Sequence, residues 1–288
     1  MNRGVEISSH GCEWAAKNMA GHLKTLGARF SKKAEPCELK IMVGWYFMNG
    51  GALMRREMEA AKKRVVWYVG TDILWLEQAG KNSAEVRWLL ENVHEHWAEW
   101  EPSRQRLERL GIPARVVHMP TRRLYKPLPL PREFAVGVYC YNSRQDFYGW
   151  NLVKKAAQLT PDVLWKIYPR YSNCRNGNIE EIKRVAPNDM EMLYEQISVH
   201  ARIVASDGMP QGPMEAAMCG RPVIYNHQPM PHVMWFPQIT PETLAERVLK
   251  IRDLQAEGAG YNYEGSLFWK EANDPSRLIN EVLNVNAR

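Results

Sequence analysis

The chain has 288 residues, a length that suits two domains of ordinary size. Hydrophobic residues make up 45% and charged residues 24%, as in soluble globular proteins, and no stretch approaches the ~18 uninterrupted apolar residues that would span a membrane. Lys plus Arg number 38 against 32 Asp plus Glu, a net +6 that suits an anionic ligand such as a diphosphate and is compatible with nucleic acid or an anionic membrane surface.

The first half alternates strand-like and helix-like segments, the pattern of an α/β fold with parallel sheets. Val5 to Ile7 reads as a strand, followed by a Ser-Ser-His-Gly turn and a helix from about Glu13 to Leu26 that Gly27 ends. Leu39 to Val43 is a buried strand. Asn49-Gly50-Gly51 is a turn, and Ala52 to Lys63 a helix with a basic end. Val65 to Val69 is the next strand, closed by Gly70-Thr71-Asp72. Residues 81–110 read as helical and highly charged, and Arg115 to His118 as a short strand. Met119 to Glu133 holds four prolines, Pro120, Pro127, Pro129 and Pro131. That density fits neither a helix nor a central strand and marks an interdomain linker.

The second half repeats the alternation. Phe134 to Tyr141 is a strand, Asn142 to Gly149 a loop, Trp150 to Gln158 a helix and Val163 to Tyr168 a strand. Residues 171–178 form a polar loop, and Asn188 to Ile197 a helix. Arg202 to Ala205 is a strand, Ser206 to Pro213 a Gly/Pro loop and Met214 to Cys219 a short helix closed by Gly220. Pro222 to Tyr225 is a strand. Thr240 is the N-cap of a helix from Pro241 to Gln255, and Asp274 to Val285 is the last helix. The expected division is an N-terminal domain over 1–126, a C-terminal domain over 127–272, and a final helix, 273–288, that packs back on the first.

Five cysteines, Cys12, Cys37, Cys140, Cys174 and Cys219, form no CxxC pair. Neither a disulfide framework nor a zinc site is indicated, and a reducing compartment fits. The opening MNRGVEISSHGCEW lacks the apolar core of a signal peptide, so the expected location is cytoplasmic.

The stretch that carries chemistry is SDGMPQGPMEAAMCGRPVIYN, residues 206–226. A tight glycine loop runs into a helix N-terminus, where backbone N–H groups and the helix dipole favour a phosphate. Gly208 and Gly212 let the backbone approach a ligand closely. Asp207 and Glu215, eight positions apart, can each hold hydroxyls by charge-assisted hydrogen bonds.

This run resembles the donor-site motif of the retaining GT-B glycosyltransferases, glycosyltransferase family 4. Their acid, seven residues, Glu-Ala and Gly-x-Pro-Val-Ile match Asp207, Glu215-Ala216 and Gly220-Arg221-Pro222-Val223-Ile224. The resemblance implies two Rossmann-like domains facing across a cleft, with the donor on the second. It implies that Asp207 holds sugar hydroxyls, that Glu215 holds ribose hydroxyls and that amides near Gly212 face the diphosphate. Residues 39–76 resemble the family's N-domain unit ending in His-Gly-(Ser/Thr)-Asp, with Val69 in the His place and Gly70, Thr71 and Asp72 retained. The family's Arg and Lys-Gly after the first C-domain strand correspond to Arg144 and to Tyr148-Gly149. A phosphate cation could instead come from Lys154, Lys166 or Arg170.

The expected activity is therefore transfer of a sugar from a nucleotide-sugar co-substrate, such as a UDP- or GDP-sugar, to an acceptor hydroxyl, with retention. No Asp-x-Asp pair occurs, which favours metal-independent chemistry without a further cofactor. Asp207, Arg144 and Asp72 are the catalytic candidates. Gly208, Met209, Pro210, Gln211, Gly212, Pro213, Glu215, Tyr148, Arg170 and Tyr168 are the donor-binding ones. His10, Gly11, Trp45, Tyr46, Gly70 and Thr71 are placed on the acceptor side. The acceptor is left open among a glycan, a lipid, a small molecule and a modified DNA base, which basic residues such as Arg55, Arg56, Lys62 and Arg122 could approach through the backbone. The competing reading is a non-transferase Rossmann pair, such as a nucleotide-sugar epimerase or a degenerate binding module. No G-x-G-x-x-G follows a strand, which counts against a nicotinamide oxidoreductase.

Overall fold

The computed structural model describes residues 4–171 and 173–287. Residues 1–3 of the opening stretch and Ser172 of the polar loop lie outside the described residues. The chain divides into two compact units, Met1–Pro120 with Asn273–Arg288, and Thr121–Ala272.

In the first unit β1 (Val5–Ser8) leads into α1 (Glu13–His22), β2 (Arg29–Phe30), β3 (Cys37–Val43), α2 (Gly51–Glu59), β4 (Ala61–Tyr68), α3 (Thr71–Ala79), α4 (Ala84–Asn92), β5 (Glu95–Ala98), α5 (Glu101–Arg109) and β6 (Ala114–Val116). The sheet order is β2-β1-β3-β4-β5-β6, all parallel. Alternate residues bury opposite faces. Leu39, Ile41, Val65 and Trp67 pack on one core with α1, while Met42, Val66 and Tyr68 pack on the other with Met54, Leu89 and Leu107. Burial on both faces explains the nearly unbroken apolar runs LKIMV and VVWYV.

Two expectations fail here. The stretch 81–110 is not continuous helix, because β5 interrupts it between α4 and α5. Its His96, Trp97 and Ala98 are buried between β4 and β6, and the charge that suggested a helix, Glu95, is matched across the sheet by Arg115 at 2.9 Å. The helix expected to reach Lys63 ends at Glu59, since Ala61 already pairs with Cys37.

In the second unit β7 (Ala135–Tyr139) is followed by α6 (Trp150–Leu159), β8 (Leu164–Arg170), β9 (Cys174–Asn176), β10 (Ile179–Lys183), α7 (Met190–Tyr194), β11 (Val199–Arg202), α8 (Gln211–Met218), β12 (Val223–Tyr225), β13 (Met234–Trp235), α9 (Pro241–Ala256) and α10 (Tyr263–Ala272). The order is β13-β12-β11-β7-β8-β10-β9, parallel except for β9 against β10. The polar loop thus contains a hairpin strand, hidden in the sequence because β9 is exposed throughout. The chain leaves β7 towards β8 and later returns to β11 on its other side. That reversal opens a crevice beyond the carboxyl ends of β7 and β11, where open α/β sheets receive ligands.

The proline-rich stretch is pinned within this unit. Arg221, fully buried, donates to the carbonyls of Tyr194, Leu128 and Pro129 at 2.9, 3.1 and 2.7 Å. After α10 the chain ends in α11 (Pro275–Ala287), which belongs to the first unit and buries Leu278, Val282 and Val285 in the α1 core.

Gly220 has φ +79°, and a Cβ there would lie 2.0 Å from the Tyr261 ring. Gly27, with φ +70°, meets nothing within 4 Å. Gly27→Ala should cost about 1–2 kcal/mol from the backbone alone. Gly220→Ala should cost ~3 kcal/mol or more, because clash adds to strain. Urea denaturation of the two variants measures the difference.

Candidate functional site

The crevice of the second unit gathers its polar groups around the end of β11. Arg202, the last residue of that strand, forks onto Asp207: Nε to Oδ2 at 2.9 Å and Nη2 to Oδ1 at 3.1 Å. The Arg202 guanidinium also lies over the rings of Tyr139 and Tyr148, 4.9 and 5.2 Å from their centroids. Burial opposes its charge, but Asp207 outweighs burial and raises its pKa above the ordinary value.

Local chain geometry brings these groups together. Gly149 takes the left-handed conformation, φ +59°, and a Cβ there would come within 2.6 Å of Ile203. The backbone N–H of Ala205 donates to the carbonyl of Phe147 at 2.9 Å, tying the loop before α6 to the segment after β11. Asn226 closes the other side: its Oδ1 accepts from the N–H of Val204 at 2.8 Å and its Nδ2 donates to the Val204 carbonyl at 3.0 Å.

Helix α8 starts at Gln211, three residues earlier than the sequence suggested, so Gln211, Gly212 and Pro213 form its first turn rather than a loop. No side chain caps this end. Beneath it His200 is fully buried. Its Nδ1 hydrogen-bonds the Tyr168 hydroxyl at 3.1 Å, and its Nε2 has no partner among the described residues. A Cβ on Gly212 would stand 3.5 Å from that Nε2, ordinary contact distance, which places the imidazole against the first turn of the helix. Burial, helped by the charge of Arg202, lowers the His200 pKa to about 3 and keeps the ring neutral.

Glu215, in the same helix, is buried, and its carboxylate accepts the Tyr194 hydroxyl at 2.7 Å. Burial raises its pKa to about 7, against the lowering effects of Tyr194 and Arg123. Met209 and Pro210 are buried, and Gly208 half-buried, beside Asp207. Tyr168 is buried and spent on His200, which makes it a support for that ring. Arg144 is exposed and stacks on Phe147 at 4.1 Å.

The other cations fall elsewhere. Lys166 is paired to Glu180 at 2.9 Å and Gln196 at 3.3 Å, and Lys154 is exposed on α6. Arg170, at the end of β8, stacks on Trp150 at 4.9 Å and donates to Glu181 at 2.6 Å, with Nε and Nη1 buried and unpartnered.

The first unit has its own polar cluster after β1. His10 Nε2 lies 2.7 Å from Glu57 Oε1, and Ser8 Oγ donates to Glu57 Oε2 at 2.6 Å. Lys40 donates to Glu6 at 3.0 Å and sits 3.8 Å from Glu57. All but His10 are buried. Gly11 is explained by packing, since a Cβ there would come within 2.5 Å of the Tyr46 ring. Trp45 is fully buried, stacked on Trp88 at 5.1 Å with its indole N–H on Glu85. Packing therefore accounts for Trp45, against the expectation of acceptor contact. Asp72 is fully buried and accepts the N–H groups of Trp45 and Val69 at 2.9 and 3.1 Å. It braces two strand ends rather than standing open to a substrate. Gly70, with φ +104°, caps α3, and Thr71 is exposed.

Arg202, His200, Asn226 and Glu57 were missed by reasoning from sequence. Arg202 stands five residues before Asp207, and Glu57 is a carboxylate between the buried Met54 and Met58 of α2, a usable but weak signal.

No protein-family profile matches the chain, and no curated protein matches it by sequence. Solved structures match it in fold. Sucrose-phosphate synthase from Thermosynechococcus elongatus superposes with a TM-score of 0.72 at 12% identity, over 98% of each chain. HepE from Anabaena, in complex with UDP-glucose, gives 0.69 at 12% identity, again over 98% of each chain. TarM from S. aureus gives 0.66 at 10% identity over 94% of this chain, which spans only 58% of TarM. The architecture they share is GT-B, two Rossmann-like α/β units, and that is the fold of this protein. Among the described residues no helix is long and apolar enough to cross a membrane.

Two measurements test the electrostatics. The folded pKa of Glu215, about 7, exceeds its ordinary 4.5, so the folded state binds the extra proton and stability falls as pH rises between these values. Asp72, raised by burial to about 6, adds a slope of the same sign. Glu215→Gln should remove its own share, on the order of 3 kcal/mol at most, and flatten melting temperature against pH from 5 to 8. Asp72→Ala orphans two backbone donors and should cost about 2–4 kcal/mol in chemical denaturation.

Proposed function

We propose that the chain is a glycosyltransferase that moves a sugar from a nucleotide-sugar donor to an acceptor hydroxyl, with the donor held by the second unit. The observation that carries this reading is the pair Arg202 and Asp207 at the end of β11, ahead of the uncapped start of α8, the helix that carries Glu215. A diphosphate set against that helix end meets backbone donors and the positive end of the dipole. Glu215 lies one to two turns further along, an acceptor suited to ribose hydroxyls. The UDP-glucose bound by HepE, on the same fold, supports the reading.

Cleaving the donor bond builds negative charge on the departing diphosphate and oxocarbenium character on the sugar. Fixed donors aimed at the diphosphate lower that barrier because they need no reorganisation as charge develops. The same reading takes the reaction as retaining and metal-independent, on the family resemblance and the lack of Asp-x-Asp in the sequence. The acceptor classes remain a glycan, a lipid, a small molecule and a modified DNA base. Cytoplasmic work fits the unpaired cysteines.

One observation favours a second reading, a nucleotide-sugar binding module without transfer: Arg202 takes both oxygens of Asp207. Release of nucleoside diphosphate from a donor would separate the two.

A melting-shift panel of UDP-, GDP-, ADP- and TDP-sugars tests the proposal. One donor, at ~100 times its dissociation constant, should add roughly 2.7 kcal/mol. Glu215→Ala should abolish that gain. A panel in which no donor moves the melting point rejects the function.

A further inference from the structure

We propose that Arg202 is the residue that binds the donor's diphosphate, and that Asp207 holds Arg202 in position for it. This rests on the reading of the second unit as the donor site.

Placement comes first. Arg202 ends β11, one of the two strands that flank the reversal of chain direction, and its neighbour across the sheet end is Tyr139 of β7. Arg170 lies one strand further out, past β7; Glu181 takes its Nη2 and Trp150 stacks on it, and its two unpartnered nitrogens are buried on that side of the sheet, away from β11. Lys166 is neutralised within the sheet, and Lys154 stands out on α6.

The orientation of Arg202 is set before any ligand arrives. Asp207 takes Nε and Nη2, and the rings of Tyr139 and Tyr148 lie against the guanidinium. Nη1 donates no hydrogen bond among the described residues. A guanidinium held by its Nε edge, with a terminal nitrogen left over, presents charge and N–H donors at little further entropic cost.

A second buried group points into the same place. The unpartnered Nε2 of His200 abuts Gly212 in the first turn of α8, eight residues long and without a side-chain cap. His200 thus borders that helix end, close enough to Arg202 to feel its charge. An anion of phosphate type matches them by charge and by geometry.

Asp207 then has a different role from holding sugar hydroxyls. Its negative charge opposes a phosphate directly, so its contribution is to fix the Arg202 plane and keep the guanidinium charged in a partly buried place. The chemistry that results is binding, with charge set where the leaving group gains it.

The experiment uses the full chain and measures, by calorimetry, affinity for UDP, GDP, ADP and TDP and for the four matching nucleosides. The wild type should prefer one diphosphate over its nucleoside by at least ~100-fold. Arg202→Gln should cut that preference tenfold or more while leaving nucleoside affinity unchanged, and Arg202→Lys should restore part of it. If Arg202→Gln fails to fold, the double variant R202M/D207L removes the pair as a unit and leaves no unpaired buried charge. Loss of diphosphate preference in the double variant still identifies Arg202, because a carboxylate repels a phosphate directly and can favour it only through the guanidinium that it orients. An unchanged ratio of diphosphate to nucleoside affinity in either variant overturns the proposal and leaves the donor-site reading standing. A wild type that binds none of the four diphosphates overturns that reading and this inference with it.

Discussion

Parallel sheets covered on both faces leave their charged and polar groups few places to go, and here those groups are held by close pairing with one another. In the second unit the decisive contact is the fork of Arg202 on Asp207, which lets a guanidinium remain charged in a half-buried crevice. In the first unit Glu57 does comparable work, accepting from Ser8 and facing both His10 and Lys40. Taking such groups out of water costs several kcal/mol per ion, and only close, well-directed pairing offsets it. Each cluster is therefore organised by which charge has found which partner.

The surrounding residues make sense as consequences of that requirement. Gly149 lets the loop before α6 settle on Ile203, which brings Tyr148 to the guanidinium. Asn226 occupies both backbone groups of Val204 just beyond the strand end. The imidazole of His200 lies against Gly212 and burial keeps it neutral, so a second cation does not compete with Arg202. Glu215 is buried with a tyrosine hydroxyl as its hydrogen-bond donor, and burial raises its pKa despite that bond and the charge of Arg123.

Much of the fold was legible along the chain. Apolar runs marked the central strands, and Gly220 and the Thr240–Pro241 start marked helix ends that the structure keeps, whereas α1 stops at His22 and Gly27 closes only a 3-10 turn, Lys24–Leu26, after it. The donor-site run showed the order acid, glycines, acid. What escaped were elements whose signal is tertiary. β5 reads as charged helix until Arg115 supplies the partner for Glu95. β9 and β10 are too polar to register as strands, and α10, β2 and β13 carry too little periodicity of their own.

Local order along the sequence determined the alternation of strands and helices, the turns that need a left-handed residue, and the placing of Asp207 and Glu215 around one helix start. These depend on spacing within a few residues, where backbone sterics and side-chain periodicity act. Only the tertiary structure decided the pairings. His10 meets Glu57 across 47 residues, Tyr168 meets His200 across 32, and Glu215 lies buried under Tyr194. Even Arg202, five positions from Asp207, acquires its meaning from β7, whose Tyr139 covers it. Such contacts follow from the order of strands in a sheet, and no local pattern of residues encodes that order.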